Sequence, residues 1–318
     1  MPGEFELIAR LAERLPLSRR TILGAGDDCA ILAPSRGPGL FTIDSVVEGV
    51  HFDLRWSTPE ALGARALAVN LSDIAAMGGR PRACVVNVAI RRGLTAAFFD
   101  RLYAGLKSEA RAARIDVVGG NITRARELAI TIAVLGDAGA QVLRRDAARI
   151  GDEIFVTGTL GDAAVGWRIL SGKIRAPQAV RKFLVGRFIR PTARLMAGER
   201  LASIRPVPAA IDISDGVMQD LGHILERSGV GAELDARALP LSPAYRAVMG
   251  GDLSLALGGG EDYELLFCIR PGYRESVLAR RLRVGVHRIG RIVRGKRLRI
   301  LGADAPRIAG FDQLRARA

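Results

Sequence analysis

The chain has 318 residues, of which 49% are hydrophobic, and it carries a formal net charge of +14 at pH 7. This length suggests about two domains, and the hydrophobic content excludes a disordered chain. The longest apolar stretch (residues 128–135) is too short for a membrane helix, and the acidic start of the chain is unlike a signal peptide. We therefore expect a soluble, cytoplasmic protein. The positive charge attracts anions, but scattered arginines and an aromatic content of only 5% disfavour nucleic acid as the partner.

The first half of the chain reads as alternating helices and strands. Helices are predicted over residues 4–15, over residues 58–77 and after a cap at Thr95. Strands are predicted over residues 29–32, 40–43, 83–90, 115–118 and 128–135. The second helix opens on Thr58, Pro59 and Glu60, which are an N-cap, a first-turn proline and a first-turn acid. Asn70 and Asp73 lie three positions apart and therefore share one face of that helix.

The second half begins after a segment rich in Gly, Ala, Arg and Asp (residues 136–151), where we place the domain boundary. We therefore predict an N-terminal domain over residues 1–138 and a C-terminal domain over residues 139–318. Strands are predicted over residues 153–157, 209–213 and 263–269, with helices after Gly161, from Arg190 onward and around Leu221. Residues 287–301 alternate Arg with apolar residues, which predicts edge strands with one basic face.

Acidic residues recur at predicted strand ends and in glycine-rich turns. They are Asp27, Asp28, Asp44, Asp212, Asp215, Glu261 and Asp262. Any one of them alone is most often a turn former, and Asp73 differs because it interrupts an otherwise apolar helix. Carboxylates that converge would repel one another unless a cation neutralised them. Oxygen ligands without His or Cys point to magnesium, and magnesium in turn points to a phosphate substrate.

Other phosphate-binding and catalytic motifs are missing from the sequence. It contains no P-loop, no protein-kinase signature and no nucleophile elbow. Gly24 and Gly26 lack the third glycine of a dinucleotide fingerprint. Ser214 has no nearby base in the sequence, so a nucleotide contact or a helix cap suits its hydroxyl better than a nucleophilic role.

Seven motifs follow one another between residues 24 and 267, namely GAGDDCAIL, TIDSVVEGVHF, NLSDIAAMGG, GGNIT, VTGTLGDAA, DISDGVMQDL and GGGEDYELLF. Their order and spacing resemble the thiamine-monophosphate kinase family of the aminoimidazole-ribonucleotide-synthetase-like (AIR-synthetase-like) superfamily. The resemblance implies a two-domain α/β (α+β) fold. Its N-terminal sheet domain would bind ATP and metal and pair across a homodimer, and its C-terminal α/β domain would complete the active site.

The resemblance also implies a reaction. The γ-phosphoryl group of ATP would move directly onto the phosphate of thiamine monophosphate and give thiamine diphosphate, by in-line transfer with Mg²⁺ and without a covalent enzyme intermediate. The attacking phosphate oxygen is already largely deprotonated near neutral pH. This chemistry therefore needs a carboxylate cluster rather than a strong side-chain base.

The site residues follow from the same resemblance, position by position. The implied metal ligands are Asp27, Thr42, Asp44, Asp73, Asp212 and Asp215, of which Asp27, Asp44, Asp73 and Asp212 would be catalytic. The implied ATP contacts are Gly120, Asn121, Arg144 and Ser214. The implied contacts to the thiamine phosphate substrate are His51, Glu261 and Phe311.

The sequence departs from the family pattern at three positions. Asn121 replaces the aspartate of the pattern Gly-Gly-Asp-Thr, Ile43 replaces a threonine, and Phe311 replaces a tryptophan or tyrosine. We expect the first two changes to weaken one magnesium position beside Asp44, because a neutral amide binds the ion less tightly than a carboxylate. Two interpretations stay open: an active kinase with one weakened metal site, or a diverged relative that phosphorylates another small molecule or only binds ATP.

A rival from another functional class is a nucleic-acid-binding protein. The net charge of +14 and the arginine-rich segment 288–299 suggest it. Affinity for DNA or RNA that falls steeply with salt and ignores magnesium and ATP would support this rival. Binding of ATP that requires magnesium would support the kinase.

Overall fold

A computed structural model of the chain describes residues 4–13, 15–25, 29–35 and 37–302. These residues form two compact units. The first comprises the described residues up to 74 together with residues 80–138, and the second comprises residues 75–79 together with residues 139–302. Each unit contains a β-sheet of its own. The roles assigned above to the two halves stay predictions.

The first unit combines a four-stranded sheet with two long helices. Its elements in chain order are α1 (Glu4–Ala12), β1 (Thr21–Leu23), β2 (Ile31–Leu32), β3 (Gly39–Val47), α2 (Pro59–Ala76), β4 (Arg80–Ile90), α3 (Ala96–Ala113), β5 (Asp116–Arg124) and β6 (Ala129–Asp137). The strand order in the sheet is β3-β6-β4-β5, in which β4 and β5 are parallel and the other neighbours are antiparallel. Strands β1 and β2 form a separate antiparallel pair.

Helices α2 and α3 approach each other closely because each has a glycine at the contact. A Cβ at Gly63 would lie 1.9 Å from the carbonyl oxygen of Leu102, and one at Gly105 would lie 1.8 Å from that of Glu60. As predicted, the side chain of Thr58 accepts a backbone N–H bond in the first turn of α2. Although α2 is mostly apolar, the described part of the chain holds no helix that is both long and apolar enough to cross a membrane.

The sheet of the first unit has one covered face and one open face. Ile130 and Ile132 on β6 are buried on the covered face. The open face carries Phe41 and Ile43 on β3 and Val85 on β4, whose exposed fractions are 74%, 60% and 44%. Large apolar side chains are therefore concentrated on an uncovered surface of this unit.

The second unit is built on a six-stranded sheet. Its elements in chain order are β7 (Glu153–Thr157), α4 (Asp162–Leu170), α5 (Gln178–Ile189), α6 (Leu195–Ala202), β8 (Ala209–Asp212), α7 (Val217–Ser228), β9 (Gly231–Asp235), α8 (Pro243–Met249), α9 (Ser254–Gly258), β10 (Leu265–Ile269), α10 (Glu275–Leu282), β11 (Val286–Val293) and β12 (Leu298–Leu301). The strand order is β12-β9-β11-β7-β10-β8, and only the β9–β12 pair is parallel. Every residue of β8 and of β10 is buried, as expected for short apolar strands covered on both faces.

A buried ionic network ties the helices of the second unit to its sheet. Glu264 is fully buried and accepts hydrogen bonds from Thr157 Oγ1 (2.7 Å), from Arg187 Nη2 (2.8 Å) and from the guanidinium of Arg194. Burial would raise the pKa of Glu264, but Arg194 and Arg187 hold it below its usual value. The carboxylate is therefore charged and paired, which is the condition under which a buried acid is tolerated.

Most predicted elements are present, but several ends differ from the prediction. Helix α1 ends at Ala12, β3 continues through Asp44, β5 continues through Asn121, and α6 begins at Leu195 rather than at Arg190. The sequence analysis did not predict strands β1 and β9 or helices α5, α8, α9 and α10. The predicted strand stops at residue 118, before the Gly-Gly-Asn segment, yet a Cβ at Gly120 would lie 2.2 Å from the carbonyl oxygen of Val86 on β4. Glycine serves a close approach between paired strands at this position.

The prediction of edge strands over residues 287–301 is wrong for β11 and right for β12. Strand β11 lies between β9 and β7, whereas β12 ends the sheet. The arginines that suggested a wet edge pair with acids on neighbouring strands: Arg291 and Arg299 both contact Glu233 on β9, and Arg288 contacts Glu153 on β7. The two-residue alternation therefore marks a sheet with one charged face, which does not require an edge.

Candidate active site

Strand β3 and helix α2 bring three of the predicted metal ligands together in the first unit. Thr42 Oγ1 donates a hydrogen bond to Asp73 Oδ2 at 2.5 Å. The Asp44 N–H donates to Asn70 Oδ1 at 2.9 Å, and Asn70 in turn donates to the carbonyl oxygen of Ala66 at 3.0 Å. Because alternate residues of a strand point to one side, Thr42 and Asp44 both face α2. The predicted shared face of Asn70 and Asp73 is therefore the face that meets β3.

The two substituted positions, Ile43 and Asn121, lie on different strands of the first unit's sheet. Ile43 points to the open face of the sheet, opposite to its neighbour Asp44. Asn121 lies on β5, three strands away from β3 in the sheet order, which corresponds to about 14 Å at the usual strand spacing. Its Nδ2 donates to Asn87 Oδ1 on β4 at 2.8 Å. The expectation of one weakened magnesium position shared by both changes stays a prediction.

His51 lies in a turn that directly follows β3. Its Nδ1 accepts a hydrogen bond from the Val47 N–H at 3.1 Å. A ring nitrogen that accepts a hydrogen bond carries no proton, so the neutral imidazole holds its proton on Nε2 and can donate it to a ligand oxygen. An ion pair between Glu48 Oε2 and Arg91 Nε at 2.6 Å stabilises the turn. Gly49 permits its backbone conformation, with φ +84°.

In the second unit, the predicted residues Asp212, Ser214 and Asp215 follow one another at the end of β8. Asp212 is the last residue of the strand and only 4% exposed. Burial raises the pKa of Asp215, and the negative charge of Glu261 adds to the rise, whereas His223 and a hydrogen bond from Gln219 oppose it. These side chains form a crowded acidic group whose repulsion a bound cation would offset.

The loop that carries Glu261 packs directly on this turn. The Glu261 N–H donates to the carbonyl oxygen of Ser214 at 2.8 Å, and the Tyr263 N–H donates to that of Ile213 at 2.8 Å. Glu261 itself has φ +75°, in the left-handed region. A Cβ at Gly260 would lie 2.2 Å from the Ser214 oxygen, so this contact requires glycine. The structure thus brings the predicted ATP contact Ser214 and the predicted substrate contact Glu261 together.

Asp262, the acid next to Glu261, points into the interior of the same unit. Its carboxylate accepts the N–H groups of Gly161 (2.6 Å) and Ala163 (3.3 Å) at the start of α4. Burial raises the pKa of Asp262 to about 8. Of the two consecutive acids, one therefore faces the predicted site and the other holds a helix N-terminus, a division that the sequence does not reveal.

Arg144 lies at the other end of β8 from Asp212. Its backbone pairs with Ala209, the first residue of the strand, three residues before Asp212. Its exposed side chain forms an ion pair with Asp146 at 2.5 Å. A role in nucleotide binding would require the guanidinium to exchange this partner for a phosphate, which is feasible because exposed ion pairs contribute little free energy.

Two predicted site residues, Asp27 and Phe311, lie outside the described residues, as does Asp28. Within the ranges that the structure describes, no group of three or more His, Cys, Asp and Glu side chains is arranged to hold a metal ion. The predicted ligands Asp44 and Asp73 belong to the first unit, and Asp212 and Asp215 belong to the second. The magnesium ligands therefore stay a prediction.

Sequence reasoning missed Asp220, which lies in the first turn of α7. It is 2% exposed, and its Oδ2 accepts the N–H groups of Ser214, Asp215 and Gly216 at 3.0–3.1 Å. Burial, and then the negative charges of Asp212 and Asp215, raise the pKa of Asp220 to about 8. The only sequence signal is a third acid, after Asp212 and Asp215, in the motif DISDGVMQDL.

Comparison with known proteins agrees with the resemblance seen in the motifs. The family model for the AIR synthase related protein N-terminal domain matches residues 26–138, and the corresponding C-terminal domain model matches residues 149–302. Thiamine-monophosphate kinase of Salmonella typhimurium is 41% identical over 84% of this chain and 82% of its own length.

Solved structures agree as well. The crystal structure of thiamine-monophosphate kinase from Stenotrophomonas maltophilia K279a superposes with a TM-score of 0.83 at 37% identity, covering 95% of this chain and 96% of that one. A structure of AaThiL complexed with AMPPCP and TMP superposes with a TM-score of 0.77 at 32% identity, covering 97% of this chain and 96% of that one. The predicted two-domain AIR-synthetase-like fold is thereby confirmed, and the chain belongs to the thiamine-monophosphate kinase family.

Proposed function

We propose that the chain phosphorylates thiamine monophosphate with ATP and magnesium, forming thiamine diphosphate and ADP. The observation that carries this proposal is the similarity, at 32% identity over 97% of the chain, to the AaThiL structure complexed with AMPPCP, an ATP analogue, and TMP. The grouped acids and hydroxyls of each unit support it, because phosphate ligands held through magnesium require oxygen donors of this kind.

In the proposed reaction, an oxygen of the acceptor phosphate forms a bond to the γ-phosphorus of ATP. The bond from that phosphorus to the bridging oxygen breaks on the opposite side, in line, and ADP leaves with the electron pair. The acceptor oxygen is largely deprotonated near neutral pH, so no side-chain base is needed. The main barrier is repulsion between two anions, and positioning and charge neutralisation lower it.

The donor set of the predicted metal ligands fits magnesium. In the first unit the donors are the Asp44 and Asp73 carboxylates and the Thr42 hydroxyl, and in the second they are Asp212 and Asp215, with no His or Cys among them. Magnesium supplies neutralisation and orientation of the phosphates when it is bound. Asp27 belongs to the same proposed set but lies outside the described residues.

The remaining residues have proposed binding roles. Gly120, Asn121, Arg144 and Ser214 contact ATP, and His51, Glu261 and Phe311 contact the thiamine phosphate. The proton on His51 Nε2 suits donation to an acceptor phosphate oxygen, because Nδ1 is occupied by Val47. The carboxylate of Glu261 suits the positive charge of the thiazolium ring of thiamine. That the second unit completes the active site stays a prediction.

We also propose that the protein is a homodimer through the open face of the first unit's sheet. Phe41, Ile43 and Val85 supply exposed apolar area there, and an uncovered patch of this kind marks an interaction surface. An Ile43→Lys variant should elute from a sizing column with light scattering at half the mass of the unsubstituted protein. An unchanged dimer mass in this variant would contradict the proposed face, and a monomeric unsubstituted protein would contradict the dimer itself.

The test of the proposed function is a reconstituted reaction. Purified protein, ATP and Mg²⁺ are incubated with thiamine monophosphate, and ADP and thiamine diphosphate are separated and measured by chromatography. We expect equal amounts of both products, dependence on Mg²⁺ and no ADP release without the acceptor. Release of ADP that does not rise on adding thiamine monophosphate would contradict the proposal.

A second candidate, an ATP binder without turnover or with another acceptor, follows from Asn121. The family pattern has a carboxylate here, and in this chain the amide donates a hydrogen bond to Asn87 instead. A panel of small phosphorylated acceptors in the same assay separates the cases. Turnover of a different acceptor, or binding of ATP with no turnover of any acceptor, would favour the second candidate.

The structure pairs part of the arginine-rich segment that suggested a nucleic-acid-binding protein. Arg288, Arg291 and Arg299 of the arginine-rich segment are each paired with an acid, Glu153 or Glu233. Paired arginines have less attraction for a phosphate backbone than clustered unpaired ones. Tight DNA or RNA binding at physiological salt, insensitive to ATP, would support this rival.

A further inference from the structure

Asp220 holds the backbone of the turn on which two proposed functional residues lie. Three consecutive N–H groups, of Ser214, Asp215 and Gly216, donate to its Oδ2 at 3.1, 3.1 and 3.0 Å. The turn leaves strand β8 and enters α7, so its N–H groups have no partner within the helix. A single buried carboxylate therefore satisfies donors that would otherwise be costly to bury.

The first turn of α7 also contacts the side chain of Asp215. Gln219 Nε2 donates to Asp215 Oδ2 at 3.0 Å. From the other side, the Glu261 N–H donates to the carbonyl oxygen of Ser214 at 2.8 Å. The turn is fixed from α7 through its N–H groups and from the Glu261 loop through a carbonyl group.

We propose that Asp220 is a positioning residue, whose carboxylate fixes the direction of Ser214 and Asp215 without touching the nucleotide, the acceptor or the metal. This inference rests on the proposed function for its kinetic consequence, but its structural part stands alone. What matters under this proposal is an acceptor oxygen at the position of Oδ2. A metal ligand would instead require the negative charge.

Two substitutions separate these roles. Asp220→Asn removes the ionisable group but keeps an oxygen that can accept the three N–H groups, whereas Asp220→Ala removes the acceptor. If the alanine variant does not fold, Asp220→Ser serves in its place, because its shorter side chain cannot reach the turn. The control is Ile224→Ala, a fully buried position on the same helix whose truncation lowers stability and leaves the Asp220 carboxyl group in place.

The first measurement is hydrogen exchange of the backbone amides, read by mass spectrometry on peptides that cover residues 213–217. We expect exchange at least about 10-fold faster in Asp220→Ala than in the unsubstituted protein, and little change in Asp220→Asn and in Ile224→Ala. Slow exchange in Asp220→Ala, equal to that of the unsubstituted protein, would overturn the proposal.

The second measurement is steady-state kinetics with ATP, Mg²⁺ and thiamine monophosphate. We expect the KM for ATP to rise about 10-fold or more in Asp220→Ala and to stay within about threefold in Asp220→Asn. Equal losses in both variants, with a raised requirement for Mg²⁺, would assign Asp220 to the metal and overturn the positioning role. An unsubstituted protein without turnover contradicts only the proposed function, since the exchange result does not depend on activity.

Discussion

Replacing Gly260 by alanine tests whether the contact between two loops of the second unit sets the geometry of the site. A Cβ at this position would lie 2.2 Å from the carbonyl oxygen of Ser214 and 3.1 Å from the Cα of Asp215. Cβ atoms do not approach non-bonded heavy atoms within 3.0 Å. The two loops must therefore separate by about 1 Å. The obstacle is backbone rather than a flexible side chain, and it cannot rotate away.

The expected cost has a structural part and a functional part. Overpacking of this kind destabilises by about 1–3 kcal/mol, which corresponds to a fall in Tm of about 2–4 °C per kcal/mol for a domain of 150–250 residues. The displacement of about 1 Å moves Glu261 away from Ser214, and misplacement on this scale lowers turnover on the order of 100-fold. Activity should therefore fall by far more than the small change in the folded fraction explains.

The assay compares Gly260→Ala with Gly251→Ala, a glycine of the same unit where a Cβ would meet nothing within 4 Å. Release of ADP is followed by a coupled assay at saturating and limiting thiamine monophosphate, and Tm is measured by calorimetry. We expect Gly251→Ala to match the unsubstituted protein in both measurements. A Gly260→Ala variant with kcat/KM within about threefold of the control would refute the reasoning that this contact positions the site.

Three further substitutions test separate parts of the structure. Asp73→Asn removes a charge but keeps an acceptor for the Thr42 hydroxyl, so we expect little change in Tm and a fall in kcat of about 100-fold or more, measured as ADP release against Mg²⁺ concentration. Burial raises the pKa of Asp262 to about 8, so the folded protein binds a proton there that the unfolded chain releases near pH 4. Stability should therefore fall as pH rises through this window, and Asp262 should contribute on the order of 2 kcal/mol of the fall between pH 6 and 8. Asp262→Asn should remove that contribution to the unfolding free energy and leave the contribution of Asp220, whose pKa is also raised to about 8. Asn121→Asp should lower the Mg²⁺ concentration for half-maximal activity if this position binds metal, with Asn87→Asp as the control on the neighbouring strand; no change in that concentration would remove Asn121 from the metal site.

Local patterns in the sequence were sufficient to place most elements and to assign several predicted site residues to a helix face or a strand end. The cap at Thr58 begins α2, and the three-residue spacing of Asn70 and Asp73 brings both onto the face that meets β3. These inferences succeeded because they depend on helical geometry within a few residues. The acid at the end of β8, Asp212, was found for the same reason, since a short apolar run followed by an acid and a glycine-containing turn is a local signal.

Inferences that depend on strand pairing could not be made from the sequence. The pairing places Ser45, Thr131, Asn87 and Asn121 in one row across the four strands of the first unit's sheet. Register is a property of two strands together, and a single sequence does not contain it. The same limit explains why the predicted strand stopped at residue 118, although Gly120 serves the close pairing of β5 with β4.

The acids of this chain differ in function according to their partners, and the sequence shows only their positions. Asp215 and Asp220 are only five residues apart. Asp215 lies in the acidic group beside Glu261, whereas Asp220 accepts hydrogen bonds from three backbone N–H groups. Glu261 and Asp262 are adjacent, and only the first faces that group. The charges of Asp212 and Asp215 also act on Asp220, so crowding alone does not separate the two kinds of acid, and the three backbone donors do. The motif DISDGVMQDL contains all three acids, so assigning a role to each of them requires the hydrogen-bond partners that a structure provides.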